Sequence, residues 1–64
     1  MPNWIIYADI PTDSGRMICR RLAERLREAD ADAYARETLE VHPDWVLCVT
    51  HPNFGMHFLT SNHI

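Results

Sequence analysis

Apolar side chains dominate residues 3–10 (NWIIYADI), and their share of β-branched and aromatic types predicts a β-strand. Successive side chains of a strand point to opposite faces of its sheet. The even-numbered residues therefore share one face, while Ile5, Tyr7 and Asp9 share the other. Pro11 has no backbone N–H for a sheet hydrogen bond and is expected to end the strand.

The clearest amphipathic pattern lies between residues 14 and 30 and predicts a helix of about 17 residues. Asp13 or Ser14 is a suitable N-cap, because its side-chain oxygen can accept a hydrogen bond from the first-turn amides. Arginine and glutamate alternate on the polar face at spacings that stabilise a helix. The apolar stripe consists of Ile18, Leu22, Leu26 and Ala29. The basic residues opposite it are Arg16, Arg20 and Arg27.

Residues 31–42 fit two interpretations. Either they extend the helix, or residues 35–41 form an outer strand in which polar and apolar side chains are mixed. We favour the strand, because the His-Pro-Asp sequence that follows is suited to a turn into the next strand.

A His-Pro-Asx-aromatic sequence occurs twice, as HPDW from His42 and as HPNF from His51. Proline presets φ at the second turn position and Asp or Asn suits the third, so both copies predict turns. Each turn precedes a short β-type run, residues 45–50 (WVLCVT) and residues 55–60 (GMHFLT). This spacing is typical of a meander of short strands.

These elements predict an α+β domain in which a single helix packs on one face of a small, mainly antiparallel sheet. The predicted element order is β-α-β-β-β, or β-α-β-β if residues 31–42 are not a strand. Residues 1–64 are expected to form a single domain, because the sequence contains no linker and a chain of this size has room for one core.

Composition narrows the possible functions. The hydrophobic content of 47% is typical of a folded chain, and the net charge of −3 has the wrong sign for a general nucleic-acid binder. No apolar run approaches the roughly 18 residues of a membrane span, and the N-terminus shows no signal-peptide pattern. We therefore expect a soluble, cytoplasmic protein with no membrane or nucleic-acid partner.

The two cysteines, Cys19 and Cys48, are expected to be free thiols in such a compartment. Cys19 lies in the predicted helix, whereas Cys48 is out of phase with Trp45, Leu47 and Val49 along its strand. If those three residues face the helix, Cys48 points away from it and the pair cannot reach disulfide geometry.

A single helix covers only one face of the sheet, yet both faces of the predicted strands are apolar. The uncovered face is expected to bind a protein partner or a second copy of the chain. A sheet curled enough to bury much of both faces is the alternative. The residues expected on the uncovered face are Tyr7, Cys48, His57 and Leu59. The helix residues expected to contact a partner are Arg16, Arg20 and Arg27.

Candidate chemistry is sparse in this sequence. His51 and His57 have a spacing near that of metal-ligand pairs, but no second pair complements them, and no metal site is predicted. The segment PTDSGR resembles an anion-binding corner at a helix start, although an N-cap followed by Gly15 explains the same residues. No known catalytic motif is present, so no catalytic residue and no cofactor are predicted.

Met1-Pro2 followed by a strand, a helix, a strand and a short hairpin resembles the tautomerase superfamily. Residues 2–11 (PNWIIYADIP) are similar to the first strand of that family, and Gly15-Arg16 is similar to a Gly-Arg pair that some members carry before the helix. The resemblance implies an enzyme whose base is the amino-terminal amine of Pro2, exposed by removal of Met1. Arginines and an aromatic side chain would then bind a keto or enol acid.

The lack of a catalytic constellation favours binding over catalysis, with the tautomerase-like enzyme as the alternative. A small soluble domain with an apolar sheet face and an Arg/Glu helix is typical of a stoichiometric inhibitor or regulator of a macromolecular partner. Small regulators carried by phages and mobile elements, including anti-defence proteins, share this general build; the link is an analogy of size and shape.

Overall fold

The computed structural model describes residues 2–61. They form four strands and one helix in the order β-β-α-β-β. The elements are β1 (Trp4–Pro11), β2 (Met17–Arg25), α1 (Glu28–Val41), β3 (Val46–His51) and β4 (Gly55–Leu59).

The four strands make one antiparallel sheet in the order β2-β1-β3-β4, and α1 packs on one of its faces. The predicted α+β class, a single helix on a small antiparallel sheet, is confirmed. The chain passes from β2 to β3 through α1, which places these two strands on opposite sides of β1.

The predicted helix over residues 14–30 is wrong, because most of this segment is the edge strand β2. Ile18 and Leu22 are four residues apart, and this spacing puts two side chains on the same side of a strand as well as of a helix. This segment pairs with β1 along the full length of that strand, and the pairing selects the strand over the helix. The helix therefore follows the second strand, and both predicted element orders are wrong.

The favoured strand over residues 35–41 is also wrong, because this segment lies within α1. Ala31, Ala35 and Leu39 are buried at successive intervals of four residues and form the stripe that faces the sheet. Two alanines in that stripe let the helix backbone approach the strands closely. Glu28 and Asp30 in the first turn interact favourably with the helix dipole.

The core lies between α1 and the two central strands. Every second residue of β1 and β3 points towards the helix, as the burial alternates along both strands. The buried apolar residues are Trp4, Ile6, Ala8, Ala31, Ala35, Leu39, Leu47 and Val49. A bulge in β2 between the partners of Ile6 and Tyr7 brings Leu22 and Ala23 against this core from the edge.

Both predicted His-Pro turns are confirmed. HPNF joins β3 to β4, and its last turn position is followed by Gly55 at φ 91°, a left-handed conformation that glycine adopts without strain. HPDW joins α1 to β3 and is closed by a hydrogen bond from the Trp45 amide to the His42 carbonyl at 3.1 Å. No helix among residues 2–61 has the length and apolar character needed to cross a membrane.

The PTDSGR segment is a hairpin turn between β1 and β2 and does not start a helix. The Gly15 amide donates to the Thr12 carbonyl at 3.0 Å, and Gly15 has φ 83°. The Thr12 hydroxyl donates to the carbonyl of Arg16 at 2.7 Å and stiffens the turn. The helix-start amides that an anion-binding corner requires are therefore absent from this segment.

Candidate functional site

The sheet face opposite α1 has no covering element among residues 2–61, and we call it the open face. Cross-strand neighbours Tyr7 and Cys48 lie at its centre on β1 and β3, and Phe58 lies beside Cys48 on β4. Met17, Met56 and Phe58 expose 52%, 62% and 56% of their surface. The apolar members of the open face are Ile5, Tyr7, Met17, Val46, Cys48, Met56 and Phe58.

Polar groups border this apolar patch. On the β2 side, Arg21 and Glu24 form an ion pair, and the Asn3 side-chain amide donates to Glu24 at 3.2 Å. A further polar group, Asp9, lies within the patch on the central strand β1, between Cys19 and Val46; it is half-buried and has no cationic partner within 4.0 Å among the described residues. Apolar and polar side chains are thus mixed on this face, as they are in non-obligate protein–protein interfaces.

Cys19 and Cys48 are both free thiols. The reason inferred from the sequence is wrong, because Cys19 lies on β2 opposite Asp9 and the two cysteines share the open face. β1 runs between them and keeps them apart. Burial raises the pKa of the Cys48 thiol, and the nearby Asp9 carboxylate and Cys19 raise it further. Cys48 is therefore a protonated, weakly nucleophilic part of the apolar surface at neutral pH.

The open face contains two of the four residues predicted for it. Tyr7 and Cys48 lie there, but His57 and Leu59 pair with Val49 and Leu47 and point to the helix side. Their predicted placement is wrong. A one-residue change in the register of a strand moves all its side chains to the other face, and the neighbours Met56 and Phe58 take the open side instead.

The three arginines predicted on the helix are also placed differently. Arg16 lies in the β1–β2 turn, Arg20 is an exposed residue of β2, and Arg27 is the residue that precedes the first turn of α1. Residues 16–27 contain five arginines and one glutamate, whereas α1 contains five acidic residues and one arginine. The chain therefore carries a basic edge strand beside an acidic helix.

His57 connects β4 to the start of α1. Its Nε2–H donates to Oδ1 of Asp32 at 2.6 Å, and its Nδ1 lies 3.9 Å from Oε2 of Glu28. Within residues 2–61, no group of histidine, cysteine and carboxylate side chains has the arrangement of a metal site. The His57 contacts tie the edge strand to the helix.

His51 is buried in the second His-Pro turn, and both its ring nitrogens are used. Nδ1 accepts a hydrogen bond from the Asn53 amide at 3.0 Å, so Nε2 carries the proton and donates to the Pro2 carbonyl at 3.2 Å. Its ring also packs against Trp4 and Phe54, with centroids 4.9 and 4.8 Å away. His51 therefore fixes the N-terminal segment against the β3–β4 turn and has a structural role.

The first His-Pro turn repeats part of this arrangement. His42 stacks on Trp45, the aromatic residue three positions later, with centroids 3.7 Å apart and planes 4° from parallel. In both turns the histidine thus contacts the aromatic residue that ends the motif, and neither turn assembles a set of catalytic groups. Sequence reasoning identified the turns but missed these ring contacts. The signal for them was the spacing of three residues between the histidine and the aromatic residue of each motif.

No protein-family model matches the chain, and no similar protein or structure was found among curated proteins or solved structures. The structure also differs from what the tautomerase resemblance implies. A strand follows β1 where the resemblance implies a helix, and Gly15-Arg16 lies in a hairpin turn. Met1, whose removal that chemistry requires, lies outside the described residues.

Proposed function

We propose that this protein acts by binding another protein through the open face, as a stoichiometric inhibitor or regulator of a macromolecular partner. The observation that carries the proposal is the exposed apolar surface of the open face, where Met56 and Phe58 on the edge strand β4 and Met17 at the far end of β2 each expose more than half of their surface. Exposed apolar side chains gathered on one face mark an association surface.

The size of the face sets a requirement on the partner. Strands lie about 4.8 Å apart and rise about 3.3 Å per residue, so this four-stranded face has a flat area of about 400–500 Å². A specific interface buries about 800 Å² on each side, roughly a sixth of the 4622 Å² surface of this chain. The partner must therefore cover the whole face together with its polar rim.

The proposal includes a cytoplasmic location, which the free thiols support because thiols persist in a reducing compartment. The analogy to regulators carried by phages and mobile elements still rests on size and build. The proposal itself needs only the open face.

Substitution of Met56 by Lys is expected to weaken capture of the partner by about tenfold or more, because it places a charge inside an apolar interface. The measurement is affinity capture from an extract of the source organism, with quantitative mass spectrometry of the retained proteins. Leu26→Lys is the matched control, since Leu26 is 68% exposed in the β2–α1 connection, outside the four strands that form the open face.

Equal capture by Met56→Lys and Leu26→Lys would contradict the open face as the binding surface. Sedimentation of the isolated chain supplies the second arm of the test. A dimer that Met56→Lys dissociates would assign the face to a second copy and would contradict the regulator role. The proposal is supported if the isolated chain is a monomer and if Met56→Lys, but not Leu26→Lys, fails to capture the partner.

A further inference from the structure

The edge strand β4 has an unpaired side. β4 is last in the strand order, so the outward backbone N–H and C=O groups of Gly55–Leu59 have no strand partner among the described residues. The helix packs on β1, β2 and β3, which leaves β4 at the margin of the covered region. An edge with free backbone groups is a template for an additional strand.

A cleft of about 290 Å³ lies between α1 and this edge. Leu39, which is buried, and Leu59, which packs against the core, form its apolar base. Arg36 and Thr60 stand at its rim. The cleft has room for one or two side chains that approach from the edge of the sheet.

The cleft is lined by a cationic side chain, Arg36, that can bind an anion. The Asp32 carboxylate accepts a hydrogen bond from Nε2–H of His57 at 2.6 Å. Arg36 is exposed, and within residues 2–61 no carboxylate lies within 4.0 Å of it. A guanidinium in this position can bind a carboxylate through two parallel hydrogen bonds.

We propose that the cleft between α1 and β4 binds an extended, carboxylate-bearing peptide segment of another protein. The segment adds to β4 as a fifth strand, places an apolar side chain on Leu39 and Leu59, and presents its carboxylate to Arg36. Backbone pairing supplies affinity and the alternating side chains supply selectivity, as in other cases of strand addition. The adjacent edge favours a peptide over a small carboxylate, because only a peptide uses the free backbone groups.

This site meets the open face at Phe58 on the edge of the sheet, but Asp32, Arg36, Leu39, His57 and Leu59 lie on the helix side. His57 and Leu59, expected from the sequence at the binding surface, belong to this second site, with His57 as a positioning residue that donates a hydrogen bond to Asp32. The cleft adds a second contact region for a protein that binds other proteins.

The test uses a pool of random hexapeptides with amidated carboxyl termini, selected on the immobilised full chain, so that a carboxylate can come only from an Asp or Glu side chain. Selected peptides are expected to share alternating apolar residues and a carboxylate, and to perturb amide chemical shifts of β4, Arg36 and Leu39. Arg36→Gln is expected to weaken binding about tenfold, and Arg36→Lys to weaken it less, because Lys keeps the charge without the paired geometry. Arg27→Gln, an arginine away from the cleft, is the control and should bind normally.

Three results would overturn this site: no peptide enriched over an unrelated protein, affinity unchanged in Arg36→Gln, or shift changes confined to the open face. Arg36 is exposed, so circular dichroism should show that Arg36→Gln keeps the fold. Met17→Lys separates the two proposals, because this open-face variant should lose the partner and still bind the selected peptides. If Met17→Lys also lost the selected peptides, the claim that the open face and the cleft bind independently would be contradicted.

Discussion

Leu47→Ala is expected to lower the free energy of unfolding by about 2–5 kcal/mol, the usual cost of a leucine-sized cavity in a core. Leu47 is fully buried on β3 between β1 and β4, where its neighbours across the sheet are Ala8 and Leu59. A domain of this size rarely has more than about 3–5 kcal/mol of stability from its core. The variant should therefore be partly or largely unfolded at room temperature.

Urea denaturation followed by tryptophan fluorescence measures this effect. Leu26→Ala is the matched control, because Leu26 is 68% exposed and its truncation should change stability by less than about 0.5 kcal/mol. If Leu47→Ala were as stable as Leu26→Ala, the packing of β3 against α1 described above would be incorrect.

His51→Ala is expected to destabilise the protein by about 2–3 kcal/mol, because it removes two hydrogen bonds and a packed ring at once. The Asn53 amide and the Pro2 carbonyl lose their partner, and Trp4 and Phe54 lose an aromatic neighbour. The N-terminal segment should detach from the β3–β4 turn as a result.

The equivalent residue of the first turn provides the control. The His42 ring stacks on Trp45, and the His42 backbone amide donates a hydrogen bond to the Thr38 carbonyl. An alanine at position 42 retains this backbone hydrogen bond. His42→Ala should therefore cost only about 0.5–1.5 kcal/mol, the value of an aromatic contact. A loss as large for His42 as for His51 would contradict the assignment of the two side-chain hydrogen bonds to His51 alone.

Local signals were sufficient for three of the four strands. β1 and β3 have a high content of β-branched and aromatic residues, and the strands β3 and β4 each follow a His-Pro turn whose residue types favour that conformation. These features act within a few residues and need no information about the rest of the fold. The α+β class followed from them.

The position of the helix depended on tertiary pairing. Ile18 and Leu22 satisfy both the helical and the strand period, and only the match between Met17–Arg25 and the full length of β1 selects the strand. The helix α1 presents a stripe with two alanines, and so weak an apolar pattern fits an outer strand as well as a helix. Burial of the small residues Ala31 and Ala35 is determined by the sheet beneath them.

Tertiary pairing also explains why some of the candidate site residues were predicted on the correct face of the sheet and others were not. The placement of Tyr7 and Cys48 is correct because each is out of phase with the residues of its own strand that face the helix, and burial alternates along β1 and β3. The faces of β4 depend on how many residues the turn contains. Three residues separate His51 from its partner Gly55, so odd-numbered residues pair with odd-numbered ones and His57 joins the helix side. The sequence around HPNF did not determine that number.

Alkylation of Cys48 in the complex with the captured partner tests most directly whether the open face is the binding surface. A Cys19→Ser, Leu26→Cys double variant provides one thiol at the centre of the face and one away from it, and iodoacetamide labelling at mildly alkaline pH reports both. We expect binding to slow the labelling of Cys48 by about tenfold or more while the thiol at position 26 reacts at an unchanged rate. Equal labelling of Cys48 in the free and the bound protein would contradict the proposal.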